Sequence, residues 1–162
     1  MVGMLLISPE VIHLISGKNY SEFFPSVTTS RILAINLFFS PINGFIAYQI
    51  FMPKKKEKII FWATLGGAIS NLIINYLLIP GLSYDGAAIA TVLAEAMVML
   101  ICIILGHKMI PFKGMMQGIW RYVIASVPMV IAYVLLQKVT FSSYLIYMFL
   151  MIIIGGVTYG IM

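Results

Sequence analysis

The chain has 162 residues, 62% of them hydrophobic and 9% charged, with a formal net charge of +5 and a mean hydropathy of +1.05. Soluble domains are about 45–50% apolar and about 25% charged, so this chain has too little polar surface to coat a water-soluble all-α globule. The basic residues sit in the gaps between apolar runs, as in membrane proteins, and this argues against nucleic acid as a partner.

A membrane span needs about 20 apolar residues to cross about 30 Å of hydrocarbon. The pattern predicts an all-α polytopic membrane protein with full spans at 31–51, 59–79, 86–106, 118–136 and 143–162. Residues 1–15 have the composition of the end of a span and lack a basic leader, the first lysine being Lys18. On that reading the chain is the C-terminal part of a longer protein. The alternative is a short protein that opens with a half-span or a re-entrant segment.

Within 1–15, Glu10 and His13 are three residues apart and share a helix face, where such a pair can hold or pass a proton. They can equally be polar groups at an ordinary helix end. A loop is expected at 16–30. In span 31–51, Asn36, Ser40, Asn43 and Ala47 line up at helical spacing beside Pro41, a candidate kink or hinge. In span 59–79, Thr64, Gly67, Asn71 and Asn75 share a face. In span 86–106, Ala88, Thr91, Glu95 and Cys102 do the same. The short 80–85 loop forces these last two spans into an antiparallel pair. Small residues allow helices to approach closely, and Asn and Thr can bond across them. The stripes are therefore either helix-packing devices or the wall of a hydrophilic cavity.

Glu95 lies nine residues past Gly86, about 14 Å into the hydrocarbon layer at 1.5 Å per residue. An acid at that depth needs a partner, a proton or an ion. One reading makes Glu95 a protonation site, a cation ligand or the partner of a basic residue elsewhere. The other makes it a neutral acid bonded to Asn71 or another neighbour. In the remaining spans, Pro128 is a candidate kink, and Gly156 and Gly160 form a small-xxx-small packing motif. The lone Cys102 can form neither an intrachain disulfide nor a cysteine-based metal site.

Charge orients the spans. Lys54, Lys55, Lys56, Lys58, Lys108, Lys113 and Arg121 fall on one side, against Lys18, Arg31 and Lys138 on the other. The positive-inside rule then makes 52–58 and 107–117 cytoplasmic, and 16–30, 80–85 and 137–142 external. Trp62, Tyr84, Trp120, Tyr122 and Tyr144 lie near span ends, as interfacial aromatics do. The 54–58 lysines fix topology and can also attract anionic lipid head groups.

Two segments resemble one family. Ser8-Pro9-Glu10, His13, Gly17-Lys18 and Tyr20 resemble a Pro-Glu…Gly…Tyr segment of polysaccharide exporters. Asn71, Asn75, Ile79-Pro80, Gly86-Ala87-Ala88, Ala90-Thr91 and Glu95 are similar to a second segment, in the right order and spacing. The family is the oligosaccharide flippases (O-antigen, capsule and teichoic-type) of the MATE-like MOP superfamily. The resemblance covers roughly residues 5–100, and Gly155 to Tyr159 looks like the family's C-terminal span.

The resemblance implies two six-helix lobes that open alternately to each side of the cytoplasmic (inner) membrane. The substrate it implies is a polyprenyl-diphosphate-linked oligosaccharide, carried without covalent chemistry or a cofactor. This chain would supply three spans of the second lobe (31–106) and an extra C-terminal pair (118–162), with membrane lipids and an N-terminal lobe as partners. The family's sugar cavity is often cationic, yet no Lys or Arg here lies deep in a span. Candidate cavity residues are Asn36, Asn43, Asn71, Asn75 and Thr91; candidate coupling residues are Glu95, Glu10 and His13; Pro41 is the hinge candidate. Three other readings stay open. One is a drug or cation antiporter of the same superfamily with Glu95 as coupling acid. Another is a membrane enzyme such as a glycan polymerase, disfavoured by the lack of a catalytic cluster, a metal motif or a large external loop. The last is an inert anchor or assembly partner.

Overall fold

The computed structural model describes residues 1–110 together with Val127, Val130, Ile131, Ile153, Gly156 and Val157. Apart from those positions, the expected spans 118–136 and 143–162 lie outside the described residues, as do Trp120, Tyr122 and Tyr144. Among the described residues every element is helical. α1 is Val2–Ser16, followed by a 3-10 turn, Gly17–Asn19. α2 is Tyr20–Phe23. α3 is Ser26–Phe45 and runs on as a π-helix, Ile46–Phe51. α4 is Glu57–Gly106. The chain divides into two compact units, one comprising Arg31–Ile110 and the other including Val2–Ser30.

In the second of these units, α1 tolerates Pro9 in its interior. Proline removes one backbone donor from the ladder, and a neighbouring hydroxyl can bond a carbonyl of the preceding turn. Ser8 Oγ donates to Met4 O, and Ser16 Oγ donates to Ile12 O at 2.7 Å. The helix ends at Gly17, whose φ of +54° is the left-handed conformation that glycine adopts without penalty. The loop expected at 16–30 is not there. Gly17–Asn19 and Tyr20–Phe23 are helical turns, and α3 begins at Ser26 rather than at 31. Pro25 explains the early start. Its fixed φ is preset for a first turn, and Val27 N–H and Thr28 N–H bond back to Phe24 O (3.0 Å) and Pro25 O (3.1 Å). Thr28, Thr29 and Ser30, polar enough to read as loop, are the opening turn of a helix.

In the Arg31–Ile110 unit, α3 continues through Pro41 as a helix and leaves α geometry only at Ile46. The π segment closes with Met52 N–H on Ala47 O at 3.0 Å. It then stops in a Schellman cap: Lys56 N–H bonds Phe51 O (3.0 Å), and Lys55 N–H bonds Met52 O (3.0 Å). The left-handed residue of that cap is Lys55, with φ of 54°, where glycine is usual.

The 50 residues of α4 would make a straight helix of about 75 Å at 1.5 Å per residue, more than twice the hydrocarbon thickness. α4 is divided at Ser83, whose φ and ψ of 49° and −124° match the first central residue of a type II′ turn. The break is thus one residue and not the six-residue loop expected at 80–85. Pro80 and Gly81 both stay helical in the first limb, 57–82, which is followed by the second limb, 84–106.

The limbs pack antiparallel, as the short connection requires. A methyl group at Gly86 would lie 2.7 Å from Leu78 O, one at Gly67 2.3 Å from Val98 Cγ2, and one at Gly66 2.4 Å from Ile101 Cδ1. At Gly86 the neighbour is backbone and only glycine permits the approach; at Gly67 and Gly66 a methyl would force the Val98 or Ile101 side chain to move. Every buried residue of α4 is small: Ala63, Gly67, Gly86, Ala88, Ala90, Ala94, Cys102 and Gly106. Leu72 and Tyr76 meanwhile are 73% and 82% exposed. A water-soluble protein buries its large apolar side chains first, so this inverted arrangement suits helices solvated by lipid. Two helices, Ser26–Phe51 and Glu57–Gly106, are long and apolar enough to cross a membrane, with mean hydropathies of 1.3 and 2.6.

α3 runs parallel to the second limb. Phe51, fully buried, packs on Gly106, where a methyl would come within 2.3 Å of its Cζ. Lys54 Nζ reaches Met109 O at 3.3 Å. The two lysine-bearing loops, 52–56 and 107–110, therefore lie at one end of this unit. Ser83 marks the other end of the hairpin.

Candidate functional site

The first limb presents Thr64, Gly67, Ala68 and Asn71 at helical spacing; the second presents Thr91, Ala94, Glu95 and Val98. Together with Leu72 they line an open groove of about 590 Å³. That volume falls among small-molecule sites, which run about 300–1,000 Å³. Two of the three expected polar stripes thus meet in one place.

The polar groups differ in what they have left to offer. Thr64 Oγ1 donates into its own helix, to Ile60 O (2.9 Å) or Phe61 O (3.0 Å), and Thr91 Oγ1 donates to Ala87 O (2.9 Å). A hydroxyl so engaged keeps only acceptor capacity. Asn71 Oδ1 accepts from Asn75 Nδ2 at 2.8 Å, which leaves the Asn71 amide hydrogens as donors. Asn75 does not line the groove. It acts on it through Asn71, and its own Oδ1 is buried without a hydrogen-bond partner.

Glu95 sits at the centre of the second limb, about 17 Å from either end at 1.5 Å per residue. Its partner is Asn43 of α3, not Asn71. Asn43, 8% exposed, donates from Nδ2 to Glu95 Oε2 at 2.7 Å and to Glu95 O at 3.0 Å. One amide thereby holds both the carboxyl group and the backbone of the same residue. Asn43 Oδ1 is left buried and unbonded. The third stripe reaches the site through this one residue. Asn36 lies about two turns earlier in α3 with Oδ1 buried and unbonded, and Ser40 is exposed.

Pro41 sits two residues before Asn43. Glu10 and His13 belong to the other compact unit. There Glu10 Oε2 is buried without a hydrogen-bond partner, and the His13 ring lies 4.6 Å from that of Tyr20. Among the described residues no three His, Cys, Asp or Glu side chains are grouped to hold a metal ion.

The Asn43–Glu95 bond was not foreseen from the sequence, because the register of α3 on the second limb comes from packing such as that of Phe51 on Gly106 and not from the spacing within either helix. Neither a family model, nor a characterised protein, nor a solved structure matches this chain.

Proposed function

We propose that the chain forms part of the translocation pathway of an oligosaccharide flippase of the MATE-like superfamily. In this reading α3 and the two limbs of α4 cross the cytoplasmic membrane three times, with the 52–58 and 107–117 loops inside. The groove is one wall of a cavity whose other wall comes from a second lobe. The observation that carries the reading is the convergence of Asn71, Thr91 and Glu95, from two otherwise apolar helices, on one groove at mid-depth. Three of the positions that resemble the flippase segment are these groove residues. A sugar head group needs donors and acceptors along its path, and Asn71 supplies the former and Thr64 and Thr91 the latter. The lipid tail stays in the bilayer while the lobes rock. The reaction makes and breaks no covalent bond.

A second reading has its own support. Glu95 lines the groove, and a carboxyl group there suits a cation or a proton, as in a drug or cation antiporter. Two assays on the full protein separate the readings: complementation of a glycan-export defect, and efflux of cationic dyes. The flippase reading expects complementation, weakened by Asn71→Leu with Thr91→Val at unchanged membrane abundance. Two hydrogen bonds at about 0.6 kcal/mol each correspond to roughly an eightfold loss of export. Dye efflux without glycan export would overturn the flippase reading in favour of the antiporter. Glu95→Gln tests coupling within either reading. It keeps size and hydrogen bonding, so transport lost at normal abundance marks a coupling acid, and transport retained marks a packing acid.

A further inference from the structure

The basic end of the Arg31–Ile110 unit is a built surface and not merely a pair of charged loops. The Schellman cap fixes the 52–56 turn, Phe51 packs it against Gly106, and Lys54 Nζ ties it to Met109 O. This places Lys54, Lys55, Lys56, Lys58 and Lys108 at one end, all exposed, with Glu57 as the one acid among residues 52–58 and 107–110. The backbone that carries the charges is already ordered, so little backbone entropy is left to lose on binding.

An apolar track starts at the same place. Lys58 and Trp62 are one helical turn apart and share a face of the first limb. That face continues through Leu65, Ile69 and Tyr76, and from Trp62 onward these side chains are 57%, 36%, 51% and 82% exposed. A concentrated positive head followed by an exposed apolar strip is the complement of one ligand class, an acidic phospholipid. We infer that this end binds an anionic phospholipid, its phosphate on the lysines and one acyl chain laid along Trp62, Leu65 and Ile69. The inference needs the helices to be in a membrane and stands whatever the groove carries.

Trp62 is a reporter inside the proposed site, and the chain has only two tryptophans. Trp120→Phe leaves Trp62 alone. The full chain with this change is reconstituted in phosphatidylcholine bilayers containing a minor fraction of brominated phosphatidylglycerol or of brominated phosphatidylcholine. The brominated acidic lipid should quench Trp62 more strongly at equal fraction, and the preference should weaken as salt rises. Lys58→Gln should lower the relative affinity about fivefold, while Lys58→Arg keeps it. Inorganic phosphate, compared with chloride at equal ionic strength, should leave the preference intact. Equal quenching by the two lipids would overturn the inference. Loss of the preference to inorganic phosphate alone would overturn the lipid assignment by showing a simple anion site. The salt series and Lys58→Arg need no disruptive substitution, so the test does not depend on the folding of Lys58→Gln.

Discussion

The bond between Asn43 and Glu95 can be measured as a coupling energy. Asn43 Nδ2 makes two contacts, one to the Glu95 carboxyl group at 2.7 Å and one to the Glu95 backbone at 3.0 Å. Asn43→Ala removes both. Glu95→Ala removes the first only, because the backbone carbonyl remains. In membranes an interhelical hydrogen bond averages about 0.6 kcal/mol and reaches about 1.7 kcal/mol. Asn43→Ala should therefore cost about 1.2 kcal/mol or more, partly offset by the better helix propensity of alanine. The cycle through both single variants and the double variant cancels that offset and isolates the side-chain pair. The expected coupling is about 0.6–1.7 kcal/mol. In the Glu95→Ala background Asn43→Ala should still cost about 0.6 kcal/mol, before the propensity offset, for the backbone contact. The assay is reversible unfolding of the four proteins in mixed detergent micelles. Coupling below about 0.3 kcal/mol, the level at which independent sites add, would refute the pairing of α3 with the second limb at this depth.

The hairpin packing makes a contrasting prediction. Gly67→Ala drives a methyl into Val98 and to 3.3 Å from Ala94 O, at a cost of about 1–3 kcal/mol for overpacking, and Val98→Ala should recover most of that loss. Gly86→Ala meets Leu78 backbone, so no side-chain change should rescue it; recovery of Gly86→Ala by Leu78→Ala, or no rescue of Gly67→Ala, would refute the register. Orientation is tested with single cysteines in a Cys102→Ser background. Ser83→Cys should label from outside and Glu57→Cys should not, and the reverse pattern would invert the topology.

The shortness of the connection exposed the antiparallel pair, and periodicity exposed the stripes that carry Thr64, Gly67, Asn71, Thr91 and Glu95. Those positions recur at helical spacing inside runs too apolar to hold polar groups by accident. The boundaries were less legible, because local signals for a break were overridden. Pro80 and Gly81 mark a loop in most contexts, yet Gly86 lets the second limb close on Leu78 so tightly that a single residue, Ser83, makes the turn. Pro25 worked in the opposite sense, starting a helix inside a polar stretch. The partner of Glu95 was hidden for another reason. Its bond spans 52 residues of sequence, and spacing along one helix carries no information about the register of two.

The arrangement also separates a stiff part from a part able to move. The two limbs of α4 touch through glycines at two levels, Gly66 with Gly67 and, directly against backbone, Gly86, so the hairpin resists sliding. α3 meets the second limb at mid-depth through Asn43 and Glu95, and at the basic end through Phe51 and Gly106. The π segment Ile46–Phe51 lies between those two levels, and such segments sit at functional sites more often than chance. Moving α3 away from the second limb would therefore first have to break the Asn43–Glu95 bond. A ligand that takes Glu95 from Asn43 must supply at least what Asn43 gives the carboxyl group, about 0.6–1.7 kcal/mol. The same amide that joins α3 to the second limb thus competes with any ligand for the Glu95 carboxyl group.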